Sequence, residues 1–381
     1  MFAKYKNAIL LRNVSVILIL FNLLYFYIPI RPIVWRLLFV ALALTTTFLP
    51  TNKRTSMEKS ITLFIGLNVL YFFVSYMWLT PSTTLLGNIL FGLSSFLMFA
   101  YLGRCGVLTP KFFLLTTGLF LFASVLNFQN YSLAASNSAV DFNEDYFTNN
   151  ASVLFLYLLP CLIFVKNNVV RLIMLLICMF FLIAGVKRGN ILAAIIPIFL
   201  ILIDTYKSTK KSTWKTLWVI ISVCVIAFLA KKWILDNEYF LLRFEDTIEG
   251  GSSNRDQLYA AAWSLWRDSH SLVEIMFGHG FDGTITHMPG NLRAHNDWLE
   301  ILVNYGLLGV VMYFLIFVGF IKSMIKSSSE KTRIVLLSVI LIWIFKSCYS
   351  MGFSDEYIAL LAIPVGAALF DDKSSTKSNI L

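Results

Sequence analysis

YGLLGVVMYFLIFVGFIKSM, Tyr305 to Met324, is an unbroken apolar run of twenty residues whose only charge is Lys322, near its end. A helix needs about 20 such residues to cross the hydrocarbon layer of a bilayer, so this stretch reads as a membrane span. Comparable runs recur at roughly 9–28, 33–49, 60–79, 84–103, 111–129, 151–166, 169–186, 190–206, 215–232, 333–350 and 357–371, giving about twelve spans. The composition agrees: 58% of the 381 residues are hydrophobic and 14% charged, with 34 Phe, 9 Trp and 16 Tyr. Soluble domains carry about 25% charge, so an ordinary soluble enzyme is excluded. The net charge of +10 is read by where the cations lie, and it does not imply a nucleic-acid partner. The fold class expected is all-α, a polytopic integral membrane protein.

An even number of spans puts both termini on one side. With Lys4, Lys6 and Arg12 inside, every loop on that side contributes Lys or Arg, as cytoplasmic loops do. Residues 128–150, on the other side, carry Asp141, Glu144 and Asp145 and no cation. The first helix lacks a small-residue cleavage site and reads as uncleaved. None of the five cysteines lies in a long loop, so no disulfide framework is implied. Three regions follow: spans 1–9 over 1–232, a large outer loop over 233–304, and spans 10–12 with the tail over 305–381.

The outer loop is the informative segment, because long loops in compact proteins are usually functional. It holds Gly250-Gly251, Gly278, Gly280, Gly283, Pro289-Gly290 and all four histidines, His270, His279, His287 and His295. Asn254 with Gln257 predicts a helix cap, and Tyr259, Ala262, Trp263 and Trp266 form an aromatic stripe at helical spacing. Such a helix is expected to lie in the membrane interface. A second short helix is expected from about His295 to Leu302, before the chain re-enters the bilayer.

Cations on the outer side run against the positive-inside pattern and are the candidates for chemistry. Lys187 and Arg188 occupy a turn of a few residues between the seventh and eighth spans, with the next helix expected from about Asn190. A guanidinium and the free amides of a helix start can converge on one anion, and the Arg fork suits phosphate. The plainer alternative is that both side chains only snorkel to the interface. His295 follows Arg293 and opens a helix that dives into the membrane. Its imidazole, with an ordinary pKa of roughly 6.5, can hold or deprotonate a hydroxyl near neutral pH; a helix-capping or surface histidine is the alternative. For the other three histidines the surface reading is preferred. Their spacing lacks the close ligand pairs of zinc sites, so no metal is expected. Asp256 and Asp297 are the carboxylates nearest these groups, available as a base in place of His295.

The string AHNDWLEILVNYGLLG, Ala294 to Gly309, resembles the signature of the O-antigen ligase and surface-polysaccharide polymerase superfamily. FGHGFDG, Phe277 to Gly283, is similar to the glycine turn preceding it. Arg188-Gly189 and Ser253-Asn254-Arg255 with Trp263 resemble two further elements, and the span plan with its late outer loop also fits. The resemblance implies a glycosyltransferase in the bacterial inner membrane, with cytoplasmic termini and an active site facing the periplasm. It would take an undecaprenyl diphosphate-linked glycan donor and join it to an acceptor sugar, either another lipid-linked repeat or the lipid A core. Arg188 and Arg255 would bind the diphosphate and His295 would position or activate the acceptor hydroxyl, with Lys187, Arg293 and Asn296 as further substrate-binding groups. Inversion at the anomeric carbon, no cofactor and no metal are expected; membrane lipid and a chain-length regulator are the candidate partners, and nucleic acid is not. Asp-Trp-Leu-Glu after His295-Asn296 favours a polymerase over a ligase.

Two other classes compete. A twelve-span secondary transporter calls for ionisable residues near mid-membrane, whereas Lys346 and Arg36, the main charges within these spans, sit near the outer end. A peptidoglycan glycosyltransferase of the shape, elongation, division and sporulation family would rest on a loop carboxylate such as Asp256, and the His-Asn segment argues against it.

Overall fold

Thr55 and Glu58 open the first described helix by a reciprocal cap: the Thr55 hydroxyl accepts from the Glu58 amide at 3.3 Å, and the Glu58 carboxylate accepts from the Thr55 amide at 2.9 Å. The computed structural model describes residues 40–41, 43, 54–106, 108, 110–138, 149–209 and 255–378. The spans expected at 9–28 and 215–232, most of that at 33–49, and the cap at Asn254 lie outside these residues. The described chain is helical, without strands. Among the described residues six helices are long and apolar enough to cross a bilayer, as a polytopic membrane protein requires.

By its internal contacts the chain falls into two units. The first contains α3 (Pro110–Ser138), α4 (Val153–Leu162), α5 (Asn168–Ala184) and α6 (Arg188–Thr209). Phe155 stacks on Phe181 at 4.6 Å, and Phe128 meets Phe181 edge-on at 5.0 Å. Arg171 is buried yet fully engaged, donating to the Val165 and Ile163 carbonyls, to Asp204 at 2.8 Å and to Thr205. A buried guanidinium is tolerated only with such pairing.

The second unit contains α1 (Ser56–Ser75), α2 (Thr83–Cys105), α7 (Arg255–Arg267), α8 (Leu272–Phe277), α9 (Gly283–His287), α10 (Asp297–Lys326), α11 (Glu330–Tyr349) and α12 (Ala362–Ser378). α1 and α10 run antiparallel in close contact. A Cβ on Gly319 would come within 2.8 Å of the Met57 Cα, Phe64 meets Tyr313 at 5.4 Å, and the Tyr305 hydroxyl donates to Asn68 at 2.7 Å. Trp343 of α11 is buried against Phe96 of α2, with ring centroids 5.2 Å apart, and donates to the Tyr313 hydroxyl at 2.9 Å.

Two expectations change here. The last expected span, 357–371, begins as a 3-10 turn over Glu356–Leu361 and continues as α12 into the polar tail. The aromatic stripe of α7 is divided: Ala262 is buried and Tyr259 and Trp266 are half-buried, while Trp263 stays 46% exposed. Ala262 is buried with Met288, Ala294 and Val303, and Leu258, Leu265, Trp266 and Leu299 pack around them. The Trp266 indole donates to the Ile275 carbonyl at 3.1 Å. Helical spacing reveals an apolar face, but it does not say whether lipid or protein covers it.

Candidate active site

α10 is a span with a nine-residue prelude. At Gly306 the backbone leaves the helix, with φ 63° and ψ −160°, a conformation open essentially only to glycine. The Val303 and Asn304 carbonyls then accept from the His279 amide at 2.8 Å and the Gly280 amide at 3.0 Å. Broken backbone at membrane depth survives only when its polar groups find such partners. Gly278, with φ 73°, makes the reciprocal approach: a Cβ there would stand 2.5 Å from the Asn304 carbonyl carbon, and one on Gly306 would stand 2.5 Å from that of Met276. Thus Phe277–Gly283 and Ala294–Gly309, two separate strings in the sequence, interlock backbone to backbone.

Two residues before the prelude, ahead of the cap Asn296, is the exposed His295, held at φ 52°. Its neighbours fix that left-handed turn from both sides. Asn296 caps α10, its Oδ1 accepting from the Trp298 amide at 3.0 Å and the Leu299 amide at 3.2 Å, and its Nδ2 donates to the Cys348 carbonyl at 2.9 Å. Asp297 is fully buried and accepts from the Gly352 amide at 2.8 Å, the Phe353 amide at 3.1 Å and the Tyr313 hydroxyl at 2.8 Å. On the other side Glu300, also buried, accepts from the Ala294 amide and the Thr284 hydroxyl, both at 2.6 Å. Arg293 pairs with Asp282 at 2.7 Å.

The carbonyl end of α11 gathers the remaining groups. Arg255 donates to the Tyr349 carbonyl, Tyr259 reaches the Cys348 carbonyl at 3.5 Å, and Asn296 donates to that same oxygen. Cations are favoured at this end of a helix. Burial raises the proton affinity of Tyr259 against the opposing pull of the Arg255 cation and of hydrogen bonds with Asn296 and Arg255, so its phenol stays protonated at neutral pH. Arg255, Tyr259, Asn296 and the His295 turn are therefore assembled in one place by α7, α10 and α11.

Lys187 and Arg188 belong to the first unit. Lys187 donates to Asn150 at 2.8 Å. Arg188 is the first residue of α6, two positions earlier than the spacing predicts, so the cation stands at the positive end of the helix dipole. That placement costs about 0.3–1 kcal/mol in isolation and is offset when an anion binds. Asn190 is buried and donates to Ser152 at 2.9 Å, and a Cβ on Gly185 would overlap Ser152, which sets the turn.

Several residues that build this site were given no role by the sequence reading. Asp282 and Glu300 lie inside the two interlocking strings, Thr284 follows the first of them directly, and Tyr259 was legible only as part of the aromatic stripe. Of the two carboxylates considered as bases, Asp297 is enclosed by three donor groups and anchors the turn, while Asp256 is exposed in the first turn of α7.

The His279 and His287 rings lie with centroids 5.1 Å apart, tilted by 36°. The His279 ring contacts the Ser269 hydroxyl at 3.4 Å, and His287 Nδ1 lies 3.0 Å from the Gly283 carbonyl. Burial, then the neighbouring His287, lower the proton affinity of His279. Because its folded pKa lies below the unfolded value of roughly 6.5, the unfolded chain binds more protons just below that pH. This contribution to stability is present above about pH 6.5 and is lost as the pH falls through that value. Thermal unfolding in detergent at pH 7.5 and 5.5 should show a smaller drop for His279→Gln than for the parent protein. Equal drops would mean that His279 takes no part in the pH response.

Residues 173–314 match the O-antigen ligase family. The matched stretch contains Lys187, Arg188, Arg255, Arg293, His295 and Asn296. No curated protein matches the chain.

Proposed function

Because residues 173–314 match the O-antigen ligase family, we propose that this chain is a bacterial inner-membrane glycosyltransferase that polymerises lipid-linked surface-polysaccharide repeats. The observation that carries this reading is the His295 turn, pinned on both sides and held close to the Arg255 end of α7 through the α11 carbonyls. In the proposed reaction, an acceptor hydroxyl oxygen forms a bond to the anomeric carbon of an undecaprenyl diphosphate-linked glycan. The bond from that carbon to the phosphate oxygen breaks, and undecaprenyl diphosphate leaves with the electron pair. His295 takes the hydroxyl proton.

Arg255 and Arg188 are assigned to the diphosphate, where fixed cations stabilise the charge that builds on the leaving group. Lys187, Arg293 and Asn296 are assigned to substrate binding. For Arg293 this requires sharing with Asp282, and for Asn296 it means acting through the cap that sets the His295 backbone. The site is assigned to the periplasmic face, with both termini cytoplasmic, and the reaction is assigned inverting stereochemistry without a metal.

A ligase reading, in which the acceptor is the lipid A core, is favoured by the description of the matched family and shares every step but the acceptor. Purified protein given the lipid-linked repeat alone, or with core acceptor, separates the two. A ladder from donor alone supports the polymerase. Product that appears only with the core acceptor overturns it in favour of the ligase.

A further inference from the structure

α8 leaves its apolar side chains outside the protein: Leu272 is 75% exposed, Val273 64%, Met276 39% and Phe277 46%. They fall at i, i+1, i+4 and i+5, one side of the helix. The Ile275 carbonyl is taken by the Trp266 indole, so α8 is docked on α7 while this apolar side is left uncovered. An apolar side chain of this size left in water forgoes about 1.5–3 kcal/mol, and a clustered patch of them marks an interaction surface.

Two contacts within the second unit fix the depth of α8. Met276 and Phe277 abut Gly306, the break in α10 that opens the apolar run Tyr305–Met324. Phe281, four residues beyond α8, donates its amide to Ser75, the last residue of α1, at 2.7 Å. Met57 lies against Gly319 at the far end of the same helix pair. From Met57 to Ser75 a helix rises about 27 Å, close to the ~30 Å thickness of the hydrocarbon. Ser75 therefore marks one edge of that layer, and α8 lies at the same edge. The chain just past Ser75 has the composition of such an edge, with Tyr76, Met77 and Trp78 exposed by 65%, 81% and 62%. They continue the exposed face of α1 formed by Leu63, Leu70 and Phe73.

We infer that α8 is the membrane-interface helix of this protein, its Leu272, Val273, Met276 and Phe277 side chains immersed among phospholipid acyl chains at the boundary marked by Ser75. α7 buries Ala262 against Met288, Ala294 and Val303, and its exposed side carries Asp256, Gln257 and Arg267 beside the exposed Trp263, so it is placed off the bilayer. The glycine crossing between Gly278 and Gly306 follows α8 directly, so lipid contact on α8 holds that crossing at the membrane surface.

The test is photocrosslinking from p-benzoylphenylalanine in nanodiscs of phosphatidylethanolamine and phosphatidylglycerol, with no donor added. The photoreactive residue is placed at Val273, at Phe73 on the exposed face of α1, or at Ala260 on the exposed side of α7. All three positions are on the surface, so each variant should fold. The expected result is phospholipid adduct from Val273 in a yield equal to that from Phe73, and none from Ala260. Adduct from Phe73 but none from Val273 would overturn the inference, as would a Val273 adduct only to a second copy of the chain. A Val273 adduct that forms only when an undecaprenyl diphosphate-linked donor is present would reassign the face to the donor's prenyl chain and overturn it equally.

Discussion

Gly306→Ala is expected to abolish a stable, monodisperse protein in detergent, and Gly278→Ala to do the same. Each residue sits at positive φ with the partner's backbone 2.5–2.6 Å from where a Cβ would be. The conformational cost alone is about 1–3 kcal/mol. The clash is with carbonyl carbons and amides rather than flexible side-chain tips, so relieving it separates the two strands of the crossing and frees the Val303 and Asn304 carbonyls. Each carbonyl left buried without a donor costs a further ~1–3 kcal/mol. Together these consume much of the about 5–15 kcal/mol that holds a typical domain. Alanine at Gly306 also favours continuing the helix, by about 1 kcal/mol relative to glycine, which would swing Asp297–Tyr305 away from α8. Gly66, in the middle of α1, has open space around its would-be Cβ, so Gly66→Ala is the control and should unfold at or slightly above the parent temperature. Parent-like thermal unfolding of Gly306→Ala would show that the crossing is not tight in the membrane protein.

The second large effect is on transfer. His295→Ala is expected to lower turnover by about 10²–10⁴, the range for loss of a positioned acid or base, with little change in the donor concentration needed for half-maximal rate. His295 is exposed, and surface substitutions usually change stability by about 0.5 kcal/mol or less, so the unfolding temperature should hold. Arg255→Ala is expected to act differently, raising that donor concentration and lowering turnover by about 10²–10³. Arg255→Lys should recover only part, because an ammonium lacks the fork that grips a diphosphate at two oxygens. If both His295→Ala and Arg255→Ala keep parent activity, the assigned roles are wrong, and Glu300 and Asp297 pin a turn that serves some other purpose.

The spans and the two special strings were legible in sequence because their signals are local. An apolar run such as Tyr305–Met324 declares itself by length, and a helix start near His295 by the apolar spacing that follows it. What joins those signals was not legible. The interlock of Gly278 with Gly306 needs two glycines 28 positions apart in the chain to meet at backbone distance, and nothing in either string names the other. Glu300 looked like an ordinary charge on a short helix until Ala294 and Thr284 were found on its two oxygens. The α7 face was only partly legible for a related reason: amphipathic period locates a face, and only the fold shows that Met288, Ala294 and Val303 cover Ala262 while Trp263 and α8 stay exposed. The start of α6 was misplaced by two residues because the sequence offers no cap before Arg188, and helix ends are the least determined part of any pattern.

The most direct measurement of the central claim is release of undecaprenyl diphosphate by the purified, folded protein supplied with a matched lipid-linked repeat and acceptor, quantified by mass spectrometry beside Arg255→Ala and His295→Ala. The account predicts release in step with glycan elongation by the parent protein and loss of both in the two variants. Absence of release from a preparation that unfolds cooperatively, or release that both variants sustain at the parent rate, would contradict it.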